Sequence, residues 1–424
     1  MRNSRNKQKE RSWIESQKTI TMTLIACSLI IFGFITTHPI EIMQGIYDII
    51  IHPDSLITDY LVVGGIGAAF VNSGVLTLLF IYLLNRHHVP FNGATFAALF
   101  LIAGFSFLGK NILNVWTIIT GVYLYAKYHR QPFGPLLYIA LFGTAMAPIV
   151  TEIIFHATLS FPFRLILGII LGIGIGFILP PLALHFFKLH EGYNLYNVGF
   201  SAGLIITVLV ALFKSFGYHP SSQLIWGEDY NMLLALYLYL LCASLLVVGY
   251  FSHADAFLQF KQIMTHSGKL STDFIQLEGF SATLINMGLN GIMVTSYILI
   301  VGGQLNGPTL GGIFAVIGFG AYGKHLKNII PIMIGIIIGS LVKVWSINDP
   351  SILLASLFGT ALAPIAGTYG WFFGILAGFL HSSVVLHIGQ LHAGLNLYNN
   401  GFSAGIVASI LVPLIEAFKR HISK

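Results

Sequence analysis

Charge is scarce in this sequence. Asp, Glu, Lys and Arg make up 8 % of its 424 residues, where soluble domains carry about a quarter. With 56 % hydrophobic residues and a mean hydropathy of +0.82, that shortage excludes a soluble globular protein and makes the chain an integral membrane protein. Cysteine is nearly missing as well. Cys27 and Cys242 both lie inside apolar stretches, so they are read as buried small side chains and not as a disulfide or a thiolate metal centre. The sequence has no G-x-S-x-G, no phosphate-binding Walker loop and no recurring pair of acids. These absences argue against catalysis and imply no cofactor. The basic excess (+6, pI about 9.1) is not a nucleic-acid footprint, because its distribution along the chain has a simpler explanation given below.

What is present is a duplication. Residues 189–203 read LHEGYNLYNVGFSAG and residues 391–405 read LHAGLNLYNNGFSAG, identical at 12 of 15 positions. Asn72-Ser73-Gly74 recurs as Asn286-Met287-Gly288, Asn92-Gly93-Ala94-Thr95 as Asn306-Gly307-Pro308-Thr309, and Gly109-Lys110 as Gly323-Lys324. Leu141–Pro148 recurs as Leu357–Pro364, with the order kept throughout. Duplicated polytopic domains are common among transporters and channels, whose sites form where the halves meet.

Fourteen apolar stretches, most of them near the roughly 17–25 residues that cross a bilayer, suggest an all-α protein of two homologous seven-segment halves. The expected division is a basic N-terminus (1–18), a first repeat (19–217), an external loop (218–230), the first helix of the second repeat (231–251), an inter-repeat linker (252–277), the rest of that repeat (278–418) and a basic tail (419–424). The first apolar run is too long for a signal peptide and is read as an uncleaved helix. Fourteen crossings with the N-terminus inside put 17 of the 21 Lys and Arg inside. Only Lys110, Arg164, Lys214 and Lys343 fall outside, which satisfies the positive-inside rule. Seven crossings per half would invert the second half. The expected location is the cytoplasmic membrane, with both termini inside. Pro364 to Gly370 spans far fewer residues than Pro148 to Gly168, so 351–366 is expected to be a half-helix that turns back. The pieces opening at Asn92 and Asn306 are further candidates for re-entrant segments.

The repeated block supplies the main candidates for a solute site: His190, Asn194, Tyr196, Asn197 and their counterparts His392, Asn396, Tyr398, Asn399. Their glycine-rich surroundings allow irregular backbone, tolerated at membrane depth where it lines a cavity or is buried in protein. The alternative is an Asn/Tyr network that locks a broken helix. Asn72 and Asn286 join the candidates. Asn92 with Thr95, and Asn306 with Thr309, form N-cap signatures whose positive helix ends favour an anionic or dipolar ligand. Lys110 and Lys324 follow glycines at equivalent helix ends, where a lysine ordinarily snorkels to the interface; a coupling role is the alternative. Glu152, without a counterpart in the second half, is a candidate proton or cation coupling group. The pairs His185/His190 and His387/His392 have a spacing poor for one helical face, so no metal is expected. Gly168, Gly172 and Gly176, repeated as Gly370, Gly374 and Gly378, read as a helix-packing ridge and not as a dinucleotide loop.

The LHxGxNLYNxGFSAG block resembles that of an uncharacterised bacterial integral-membrane family whose domain occurs twice per chain. A fainter, class-level similarity is to the urea transporters, through Phe70-Val71-Asn72 and Gly192-Tyr193-Asn194. Together these readings suggest a secondary transporter or selective channel for a small polar or anionic solute. The alternative is a membrane enzyme or assembly partner acting on a lipid-linked substrate. The expected partners are the solute and membrane lipid, with a possible homo-oligomer and no nucleic acid.

Overall fold

The computed structural model describes residues 2–54, 57–220 and 222–422. Met1 of the basic N-terminus, Ser221 of the 218–230 loop and Lys424 of the basic tail lie outside these. Among the described residues there is no β-strand beyond two isolated bridges, and the main helices run in two series. The first series is α1 (Arg2–Thr36), α2 (Gly65–Arg86), α3 (Gly93–Phe105), α4 (Trp116–Tyr128), the bent α5 (Gly134–Met146 and Pro148–His156), α6 (Phe161–His190) and α7 (Asn197–Ser215). The second is α8 (Asn231–Ser252), α9 (Phe280–Ile300), α10 (Gly307–Phe319), α11 (Leu326–Val342), α12 (Pro350–Tyr369), α13 (Trp371–His392) and α14 (Asn399–Ile422).

Nine of these helices are long and apolar enough to cross a membrane, ten if bent α5 counts as one span. Fourteen helices of that kind are therefore not found among the described residues. Helices α3, α4 and α10 have 13 residues each and α11 has 17. At 1.5 Å per residue the three 13-residue helices fall well short of a hydrocarbon core of about 30 Å, while α11 stands at the lower end of the crossing range. The expectation for 351–366 is also corrected, because α12 is a continuous span of 20 residues. Its counterpart α5 is the broken one, bent by 49° between Met146 and Pro148, although Pro364 stands at the matching place of α12.

Small residues set the close approaches. Gly176 of the predicted ridge faces the Ile118 carbonyl on α4, and Gly378 faces the Ile332 carbonyl on α11. Helices α3 and α10 pack on each other at the centre. Gly93 at the start of α3 lies against the carbonyl of Ala321, just past the end of α10. Gly307 at the start of α10 lies against that of Phe107, just past the end of α3. The two are therefore antiparallel, related by a local two-fold perpendicular to their axes. Tyr138, near the start of α5, meets Thr95 at the start of α3 with 3.1 Å between hydroxyls. In the same way Leu353 at the start of α12 lies against Gly303, ahead of α10. The start of each short pair, α3–α4 and α10–α11, thus lies beside the start of the longer helix that follows it.

Candidate functional site

The breaks after α3 and α10 are built alike. Asn72 on α2 donates through Nδ2 to the carbonyls of Ser106 (2.8 Å) and Lys110 (2.9 Å). Asn286 on α9 donates to those of Gly320 (2.7 Å) and Lys324 (2.8 Å). Each amide satisfies carbonyls that a helix end leaves open and fixes the peptide that carries a lysine. Lys110 and Lys324 are consequently both 0 % exposed. The snorkelling expectation is overturned: the turns that hold these lysines lie inside the bundle, not at its surface.

Their surroundings differ. Lys324 Nζ donates to Tyr196 Oη (2.6 Å) and Thr360 Oγ1 (2.7 Å) and lies 4.6 Å from the centre of the Tyr196 ring. Lys110 Nζ lies 5.0 Å from the centre of the Phe105 ring and has no hydrogen-bond partner among the described residues; neither has the hydroxyl of Tyr398, the counterpart of Tyr196. The ion pairs among the described residues are Lys18–Glu15, His266–Glu278 and Arg420–Glu416, so no carboxylate pairs with either buried lysine.

Within the repeated block the polar groups divide into two sets. His190 Nε2 pairs with Asn197 Oδ1 at 2.9 Å, and Asn197 Nδ2 donates to the Ala183 carbonyl on α6. His392, Asn399 and the Val385 carbonyl repeat this arrangement. These groups staple the start of α7 to α6, and of α14 to α13, across left-handed turns at Glu191-Gly192 and Ala393-Gly394. Asn194 accepts from Tyr196 N (2.9 Å) and donates to the Gly401 carbonyl of the other half (2.9 Å), while Asn396 accepts from Tyr398 N (3.0 Å). Tyr196 and Tyr398 are thereby brought together across the repeat interface, ring centres 5.6 Å apart. Phe105 flanks Tyr398 and Phe319 flanks Tyr196, each at 4.9 Å. His185 and His387 are exposed, away from buried His190 and His392.

Two cavities approach this aromatic cluster. The larger, about 430 Å³, runs from Asn92, Tyr138 and Asp273 to Tyr196, Tyr398 and Phe319. The smaller, about 250 Å³, runs from Ile57 and Ser351 to Phe358, Leu108 and Leu397. Phe142, Leu195 and Asn197 in the first recur as Phe358, Leu397 and Asn399 in the second. The cavities are thus counterparts, one near the start of α3 and the other at the opposite end of the antiparallel pair.

The starts of α3 and α10 are capped by Asn92 with Thr95 and by Asn306 with Thr309, each a reciprocal capping box. The anion expected there is supplied by the protein. Asp273 of the second half accepts from Gly93 N (2.9 Å), and Asp59 of the first half accepts from Gly307 N (3.0 Å). Sequence reasoning missed both, although Thr58-Asp59 recurs as Thr272-Asp273 and would have flagged them. Burial pushes Asp59 up to about 6 against the pull of three backbone N–H groups, and it raises Asp273 as well.

Asp54 was also missed. Its buried carboxylate accepts from Tyr60 Oη, Asn111 Nδ2 (3.4 Å) and Asn114 Nδ2 (3.1 Å), and burial pushes it up to about 8. Glu152 lies near it, buried, accepting from Tyr218 Oη at 2.5 Å and opening a π-helical turn. No lysine or arginine neutralises either acid among the described residues. In the second half Gly268 stands where Asp54 would be.

A duplicated helical bundle with nine membrane-length helices and a buried, polar-lined interface between its halves is a polytopic membrane protein. The chain belongs to the family described as protein of unknown function, DUF1576, whose model matches residues 38–215 and 252–417. No curated protein and no solved structure matches it.

Proposed function

We propose that the protein is a transporter or channel that moves a small polar or anionic solute across a membrane through the interface of its halves. The observation that carries this reading is the pair of counterpart cavities that approach one aromatic constriction from opposite ends of α3 and α10. A solute crossing between them would pass Tyr196 and Tyr398. At that constriction stand the Tyr196 and Tyr398 hydroxyls and, beside them, the ammonium groups of Lys110 and Lys324, neither paired with a carboxylate among the described residues, which favours negative charge on the solute.

Topology supports the same reading. If α3–α4 and α10–α11 enter and return, each half has five crossings, and an odd number inverts the second half. Both termini then share one side, which the abundance of Lys and Arg near them assigns to the cytoplasm. Glu152 is proposed as a coupling group, being a buried carboxylate without a lysine or arginine partner among the described residues.

Flux through proteoliposomes of purified protein tests the reading, with a panel of small amides and sodium salts of small anions. At least one solute should move faster than through protein-free vesicles, and Tyr196→Trp should block it. Uniform background rates would sink the proposal. Topology is tested by an impermeant thiol reagent on Ser271→Cys and Ser222→Cys, which line the two cavities. They should be labelled from opposite faces.

A further inference from the structure

The two lysines are the same residue of a duplicated unit, yet one is satisfied by the protein and the other is not. Lys324 shows that the repeat can satisfy a buried ammonium with neutral groups alone: the tyrosine of the opposite half and the threonine of the following helix. The first half contains the same parts, Tyr398 and Thr144, and does not use them. Thr144 Oγ1 donates to the Leu141 carbonyl, as Thr360 Oγ1 does to that of Leu357, but unlike Thr360 it accepts nothing from the lysine of its half. Lys110 Nζ and Tyr398 Oη are both left without a partner, in residues 0 % and 2 % exposed. Both groups border the same ring. Phe105 is 5.0 Å from the ammonium and 4.9 Å from the centre of the Tyr398 ring.

Two buried donors, one of them a lysine amine, with no acceptor beside them among the described residues are costly to leave unpaired. The missing component must accept from both and carry negative charge. One ammonium offsets one charge. We propose that Lys110 and Tyr398 form an occluded site for one small monovalent anion, a short carboxylate or an inorganic anion of similar size. The anion accepts from Nζ and Oη together and is shielded from water by Phe105. This rests on the solute-path reading and refines it. Tyr398 borders the larger cavity, and Leu108 and Leu397 beside the Lys110 turn border the smaller, so the site lies between them. Lys324, bound to Tyr196 and Thr360, is the closed form of the same site.

Thermal unfolding of the purified full-length protein in detergent tests this. The probes are sodium formate, acetate, nitrate and chloride, with sodium gluconate holding ionic strength constant. At least one should raise the melting temperature saturably, by about 3 °C or more over gluconate alone. Lys110→Met should abolish that response. Tyr398→Phe removes only a hydroxyl and keeps the ring packing, and it should raise the half-saturating anion concentration about tenfold. The site is overturned if no probe outperforms gluconate, if Lys110→Met responds as wild type, or if Tyr398→Phe leaves the half-saturating concentration unchanged. The Tyr398→Phe result decides alone if the lysine variant does not fold. The two readings fail separately. Anion flux through wild type and Lys110→Met alike would overturn the site and leave the path standing. Saturable binding without flux of any solute would do the reverse.

Discussion

The first and second halves share their construction and differ in their chemistry. Asn72 and Asn286, the Asn–Thr capping boxes, the His–Asn staples and the reciprocal Asp caps occur in both, on equivalent backbone groups. These devices close helix breaks inside an apolar bundle, where an open backbone group has no water to turn to. The differences lie elsewhere: an unpartnered Lys110 against a satisfied Lys324, Asp54 against Gly268, and Glu152 against no acid at all. A duplicated chain has to keep what holds its breaks closed. It is free to diverge in ionisable groups, as it does at these three places.

The largest effect expected from that divergence is a pH dependence confined to the first half. Asp54 titrates near pH 8 in the fold, well above its ordinary 3.8. Because the folded state holds the proton more tightly, stability is full below about pH 4 and is lost as pH rises toward 8. The slope is at most about 1.4 kcal/mol per pH unit. The groups facing Asp54 are Tyr60, Asn111, Asn114, Thr151 and Glu152. Asp54→Asn should flatten the melting temperature between pH 6.5 and 8, a window above the titration of Asp59 near 6. Parallel pH profiles for variant and wild type would remove Asp54 from the comparison.

Next come the crossed caps. Asp59 accepts from three backbone groups, Leu61, Gly227 and Gly307, at 2.9–3.0 Å, and is 0 % exposed. Asp273, less deeply buried, serves Gly93 at 2.9 Å and Gln276 at 3.1 Å. Alanine should therefore cost about 3 kcal/mol at 59 and about 2 kcal/mol at 273 in denaturant unfolding. The reverse order would mean that the second half depends more heavily on its partner.

The amides that hold the lysine turns should separate the halves by less. Asn290 also donates to the Lys324 carbonyl, at 3.2 Å, while the first half has Leu76 at the matching place. Asn72→Ala should cost about 2 kcal/mol and Asn286→Ala about 1 kcal/mol; equal losses would show that Asn290 gives no support. The smallest change in stability belongs to Glu152→Gln, within about 0.5 kcal/mol, because glutamine still accepts from Tyr218. Its signature is functional. Solute exchange should persist while accumulation driven by a proton gradient is lost, and accumulation at the wild-type level would leave Glu152 without a coupling role.

Membrane class, duplication and the small-residue ridges were legible in the sequence, because hydrophobicity, self-similarity and glycine spacing are properties of the chain itself. The N-cap pairs were legible for the same reason, since Asn92 with Thr95 and Asn306 with Thr309 act within one turn. Whether a short apolar piece crosses or returns was not, because 13 residues of α3 read the same either way until packing on α10 sets their depth. Nor could the sequence distinguish Tyr196 from its neighbours in the repeated block. His190, Asn194 and Asn197 bond to backbone, and only the crossing of the two halves brings Tyr196 against Tyr398. The caps from Asp59 and Asp273 join residues 248 and 180 positions apart, a distance no local pattern spans. The unequal fates of Lys110 and Lys324 belong wholly to the tertiary structure. Both follow Gly in equivalent sequence, and the contact that satisfies Lys324 comes from the opposite half.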